Sequence, residues 1–162
     1  MTALTQDRNT EYSLGDLLAI PVAAGSQIFA GSLVCSNTSG YAVAAADTAA
    51  LKFEGVATEQ VDNSGGADGN VSIVVRRRGR YRYGCLSDLD QSALGASVCA
   101  VDDQTVSADA AETTNDVAVG VIDKIEAAHD CWVSIDDAVL TGRSWTEPTT
   151  TTVAPTTTTT LA

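Results

Sequence analysis

The feature that most constrains the fold is an internal echo. Gly31-Ser-Leu-Val-Cys35, Gly55-Val56 and Val71-Ser-Ile73 return as Gly95-Ala-Ser-Val-Cys99, Gly120-Val121 and Val133-Ser-Ile135, at offsets of 64, 65 and 62. Small drifts of this kind are what loop insertions produce. Two copies are too few for a solenoid, so the echo predicts two similar units sharing one core. The units are β units, because short Val-containing segments alternate with clusters of Gly, Asn, Asp and Ser throughout. The strands expected are 32–36, 40–43, 53–58, 71–83, 97–101, 105–107, 117–122 and 132–135. Single helical turns are expected within 44–51 and within 86–94, the latter with Asp88 near its start. The fold class is therefore all-β, a compact barrel or sandwich-like domain over residues 1–141, with repeat halves of about 12–83 and 84–141.

From 142 to 162 the chain changes character. Two Thr/Pro blocks, Pro148-Thr-Thr-Thr-Thr-Val-Ala154 and Pro155-Thr-Thr-Thr-Thr-Thr-Leu-Ala162, form a low-complexity tail with almost no apolar surface to bury. An extended tail of this kind contributes nothing to a core. Deleting residues 148–162 is therefore expected to leave cooperative melting intact, and loss of a sharp transition in the shortened protein would contradict this.

Charge is distributed unevenly. The chain carries 21 acidic and 9 basic residues, a net charge of −12, yet five of its seven arginines (Arg76, Arg77, Arg78, Arg80 and Arg82) fall within seven positions. Without them, 4 positive charges face 21 negative ones. Such a surface favours solubility and repels nucleic acid, whose binding needs clustered positive charge. If 71–83 is one strand, alternation places Arg76, Arg78, Arg80 and Arg82 on one face, about 6.6 Å apart, with Arg77, Tyr81 and Tyr83 on the other. A bulge at Gly79 would instead split the row into two pairs. Guanidinium groups in a row need carboxylates between them. Either the protein's own Asp and Glu neutralise a solvated face, or the strip forks onto the carboxylates of a neighbour, which arginine does better than lysine. Interleaved Tyr81 and Tyr83 also fit base stacking, against the negative surround. The candidate protein-interface residues are thus Arg76, Arg77, Arg78, Arg80, Arg82, Tyr81 and Tyr83.

Catalytic patterns are weak. The one histidine, His129, shares a strand face with Cys131 but lacks an orienting third group there. The stretch Asp62-Asn-Ser-Gly-Gly-Ala-Asp-Gly69 places Gly66 where a calcium loop needs a ligand. Adjacent acids such as Asp102-Asp103 and Asp136-Asp137 point to opposite sides of a strand or sit in a turn. No catalytic residue, metal or cofactor is expected. Cys35, Cys85, Cys99 and Cys131 lack CxxC spacing and read as buried free thiols of a protein made in the cytoplasm. The apolar runs are too short to cross a bilayer.

In order and spacing, Val22-Ala-Ala-Gly25, Ala30-Gly-Ser-Leu-Val34, Ser39-Gly-Tyr-Ala-Val43, Ala46-Asp-Thr48, Gly55-Val-Ala57, Asp62-Asn-Ser-Gly-Gly66 and the Val-rich segment ending in Arg76-Arg-Arg-Gly79 resemble the capsid cement, or decoration, proteins of tailed bacteriophages. The resemblance runs from about Tyr12 to Ala138. It implies a small β-rich protein on the outer capsid surface of the virion, a homotrimer at three-fold or quasi-three-fold positions. Its partner would be the major capsid protein, with neither nucleic acid nor membrane involved. The continued run Arg80-Tyr-Arg-Tyr83 and the Thr-rich tail depart from the family pattern. The alternative is a virion-surface adhesion or fibre-like module binding host glycans. Copy number separates the two, since a cement protein accompanies the capsid near the stoichiometry of its major subunit.

Overall fold

The computed structural model describes residues 14–136; the N-terminal 13 residues and everything after 136, including the Thr/Pro tail, lie outside them. The first half contributes β1 (Leu17–Pro21), β2 (Gln27–Ile28), β3 (Leu33–Ser36), β4 (Ala42–Ala44), β5 (Lys52–Ala57), β6 (Val61–Asp62) and β7 (Ser72–Arg76). The second contributes β8 (Arg80–Cys85), β9 (Ser97–Ala100), β10 (Thr105–Ser107), β11 (Ala118–Ala127) and β12 (Asp130–Ser134), with one 3-10 turn at Gln91–Ala93. The fold is all-β.

Five strands of each half repeat one another in order, with β2 and β6 forming an additional pair in the first. The first sheet runs β1-β7-β5-β3-β4, and a parallel bridge from Val22 to Ala42 brings the chain after β1 back to β4. The second is a closed barrel, β10-β8-β12-β11-β9, whose closing pair β10–β8 is likewise parallel. Even an irregularity recurs. Val34 faces Gly55 while Cys35 faces Phe53, and Val98 faces Gly120 while Cys99 faces Ala118. Each bulge skips one residue, Glu54 or Val119, and each carries a glycine because the bent strand crowds its neighbour. A Cβ on Gly55 would lie 2.4 Å from the Arg76 carbonyl oxygen, and one on Gly120 2.1 Å from that of Ser134.

Small side chains fill both interiors, as narrow barrels require. Ile20, Val22, Val34, Ala42, Ala57, Ile73 and Val75 pack in the first with Ile28 of β2. Tyr83, Cys85, Val98, Ala100, Val106, Val119, Ile122, Cys131 and Val133 pack in the second. The outer face of β3 and β5, carrying Leu33, Cys35, Phe53 and Val56, joins the second cluster and so docks the first unit onto the barrel. Burying a Leu, Phe or Val in this way contributes about 1.5–3 kcal/mol. All four cysteines are buried free thiols. Cys85 and Cys131, neighbours inside the barrel, are hydrogen-bonded to each other.

The sequence expectations need four corrections. Residues 71–83 are not one strand: β7 belongs to the first sheet and β8 to the barrel. The first sheet ends with β7 at Arg76, and the barrel begins with β8 at Arg80. No helical turn forms within 44–51, where Ala50 instead takes φ +63°. The turn within 86–94 starts later than expected and is capped by Asp90, whose side chain accepts from the Ser92 N–H, rather than by Asp88. The strands β1, β2 and β6 had no counterpart in the expectation.

Candidate functional site

The arginines leave β7, round the joint and continue into β8. The joint is pinned from both sides. The Arg77 N–H donates to the Asp16 carbonyl (2.9 Å), the Ile135 N–H to the Gly79 carbonyl (3.1 Å), and the Gly79 N–H to Asp136 Oδ1 (2.7 Å). Gly79 takes φ +115°, which a side chain would oppose. Across this turn the alternation survives although the strand does not. Arg76, Arg78, Arg80 and Arg82 are all exposed, whereas Arg77 and Tyr81 are half-buried and Tyr83 is buried. The regular spacing expected of one strand is lost, because the row bends from one sheet into the next.

Four of the five guanidiniums meet carboxylates of the same chain. Arg77 Nη2 lies 3.7 Å from Glu54, Arg78 Nη1 3.5 Å from Asp16, and Arg80 Nη1 2.9 Å from Asp123. Arg82 grips Asp130 through Nε, 2.9 Å from both oxygens, and through Nη2. The forked bond from Arg82 holds the Asp130 carboxyl below the ordinary range, and the same bond raises the Arg82 guanidinium. Because the folded carboxyl is depressed, what this pair adds to stability is present above the unfolded carboxyl's pKa. It fades as pH falls through the folded one. Arg76 has no carboxylate partner among the described residues and hydrogen-bonds the Tyr81 hydroxyl. The pairs at Arg78, Arg80 and Arg82 sit on side chains 58%, 67% and 58% exposed. Pairs that open to water contribute little, so an incoming group can displace them at little cost.

Tyr83, one of the candidate interface residues, packs in the core. It is 7% exposed, and its hydroxyl donates to the Gly31 carbonyl (3.1 Å), tying the barrel to the first unit. Burial pushes its hydroxyl well above the usual tyrosine range, with smaller contributions from Tyr81 and Asp103. Tyr81 lies over Gly79 and donates to the Arg78 carbonyl (3.0 Å). Neither ring stands free on the arginine face as a stacking platform.

The other residues singled out from sequence serve the scaffold. His129 meets Asp88 through Nε2 (3.1 Å) and the Cys85 carbonyl through Nδ1 (3.2 Å), while Cys131 points into the barrel. Asp102 accepts from the N–H groups of Gln104 and Thr105, and Asp103 from the Ser32 hydroxyl. Asp136 holds the joint; Asp137 lies outside the described residues. In the Asp62–Gly69 loop, Asp62 accepts from the Ser64 N–H and Asp68 from the Ala24 N–H. The residue overlooked there is Asn63, 3% exposed, whose Nδ2 donates to the carbonyls of Val22, Ala23 and Ala67. Its signal in the sequence was an amide among turn residues where neither solvent nor a ligand required one.

No family model matches the sequence, and no curated protein matches it significantly. Among solved structures, the N base of head fiber gp8.5 in bacteriophage phi29 is similar over 75% of this chain and 96% of that chain, with 16% identity and a TM-score of 0.42.

Proposed function

We propose that the chain is a capsid decoration protein, sitting on the outside of a bacteriophage head and stabilising it by bridging major capsid protein subunits, most simply as a homotrimer on three-fold or quasi-three-fold positions. It works by binding, with no reaction step. The ordered motifs from Val22 to Gly79 support the reading by their resemblance to that family. Two of them, Val22–Gly25 and Asp62–Gly66, touch each other through Asn63. The observation that carries the proposal is the exposed run Arg76, Arg78, Arg80 and Arg82 on a chain that is otherwise anionic. The acidic remainder keeps the free protein soluble, and Arg78, Arg80 and Arg82 are held in in-chain pairs. Their weakness lets them exchange onto carboxylates of a shell, where many copies multiply modest contacts.

The test replaces Arg76, Arg78, Arg80 and Arg82 with Ser and measures attachment to heads stripped of this protein, across salt concentrations. Attachment is expected to weaken by about tenfold or more and to lose much of its salt dependence, with the melting temperature nearly unchanged. Attachment equal to that of the unmodified protein at every salt concentration would dispose of the interface.

A further inference from the structure

The two repeats place two strand edges in equivalent positions, and the two edges are not alike. In an antiparallel pair, residues alternate between bonding the neighbour and turning their backbone groups away. Bonds at Asp16–Arg77 and Val22–Val71 fix the phase for β1, so Leu17, Ala19 and Pro21 turn outward. Bonds at Cys85–His129 and Gly79–Ile135 fix it for β8, so Arg80, Arg82 and Gly84 turn outward at the corresponding sites. Gly84 meets Thr105 in closing the barrel, whereas the edge at Arg80 and Arg82 has no strand beside it among the described residues. Two long cations flank that edge, the usual way to keep a further strand off. The β1 edge carries Leu17, Ala19 and Pro21, with no charge among them. Leu14, Leu17 and Leu18 beside it are 71%, 55% and 37% exposed.

We propose that the edge of β1 with no strand beside it among the described residues is a docking site for an extended, carboxylate-bearing segment of the partner protein, added as a further strand of the first sheet. The donors and acceptors are the N–H groups and carbonyls of Leu17 and Ala19; the parallel bridge of Val22 to Ala42 already takes the carbonyl of Pro21. Pro21 supplies no N–H, which ends the ladder there. The charge of the segment follows from Arg76. It stands opposite Leu17 on β7, on the same face, and is the one arginine of the row with no carboxylate among the described residues. A strand added outside β1 lies two strand spacings from β7, about 10 Å. An arginine and a glutamate side chain can close that gap between them. Alternating aliphatic side chains on the segment would cover Leu17. That the segment comes from the major capsid protein rests on the function proposed above; its chemistry comes from the edge itself.

The test is amide hydrogen exchange on the full chain with a short capped peptide of alternating valine and threonine containing one glutamate. In the free protein, the amides of Leu17 and Ala19 should exchange fast, and those of Leu18 and Ile20, bonded to β7, slowly. With peptide at about nine times its Kd, some 90% of the protein is bound, and exchange at Leu17 and Ala19 should slow about tenfold. A lysine in place of the glutamate should weaken binding, and a central proline should abolish it. Ala19→Lys, at an exposed position, should keep the fold and lose the slowing. No slowing, or equal slowing by the lysine peptide, overturns the proposal. So does protection of Leu17 and Ala19 before any peptide is added, because the chain itself or a second copy would then fill the edge. If Ala19→Lys attaches to heads normally, this docking site is wrong while the decoration role stands. Failure of the arginine variant's test above would instead strike the arginine interface on which that role is argued.

Discussion

Replacing Gly120 with alanine is expected to lower the unfolding free energy by about 3 kcal/mol or more. The new Cβ would sit 2.1 Å from the Ser134 carbonyl oxygen and 2.9 Å from Val133 Cγ1. Neither is the far end of a flexible side chain, so relief requires β11 and β12 to part at the bulge. Gly55→Ala should cost at least as much, because it adds a left-handed φ of +143° to a contact of 2.4 Å with Arg76. Both substitutions lie in a chain whose total stability is of the usual order, about 5–15 kcal/mol, so their combination should leave little folded protein. The control is Gly84→Ala, where nothing lies within 4 Å of the new atom and the change should be within about 1 kcal/mol. Urea unfolding of the three variants checks this. Gly55 or Gly120 variants as stable as the Gly84 control would show that the bulges are not the close approaches described.

Asn63→Ala is the second large effect, expected to cost about 2–4 kcal/mol. One amide nitrogen serves three carbonyls at 3.2, 2.9 and 2.9 Å, in a site almost closed to water. Truncation takes the side-chain donor from each of those carbonyls, leaving them the N–H groups of Gly69, Ser26 and Asn70, and loosens the loop after β1 against the loop after β6. Asn63→Asp tests the same contacts differently. It keeps the shape but turns an acceptor toward acceptors, so it should be at least as damaging at neutral pH and milder in acid, where a protonated carboxyl regains a donor. If thermal melting finds both variants within a degree or two of the parent, the amide is dispensable.

Much of this architecture was legible in the chain. Strands β3, β4, β5, β9, β10 and β12 lie where alternation and turn residues put them, and the echoed Gly-Val pairs mark the two bulges. The failures have physical causes. Leu17–Pro21 was overlooked because its outward residues are as apolar as its inward ones, so no alternation showed, and its proline argued against a strand. The two-residue strands β2 and β6 are too short for any period. Residues 71–83 merged into one strand because in–out parity runs unbroken through 77–79, while the change of sheet depends on backbone rotation at Gly79 and on Asp16, far away in sequence. For the candidate site, the arginine face was readable from parity. The partners were not, since Asp123 and Asp130 reach it only through the pairing of β8 with β12 and of β12 with β11. Alternation also put Tyr83 on the face opposite the arginine row, and that face is the barrel core.

The joint between the repeats spans three residues, and hydrogen bonds tie it to β1 on one side and to the end of β12 on the other. A connection so short and so anchored leaves no hinge. The two halves are therefore expected to turn together as one body and not as two beads on a string.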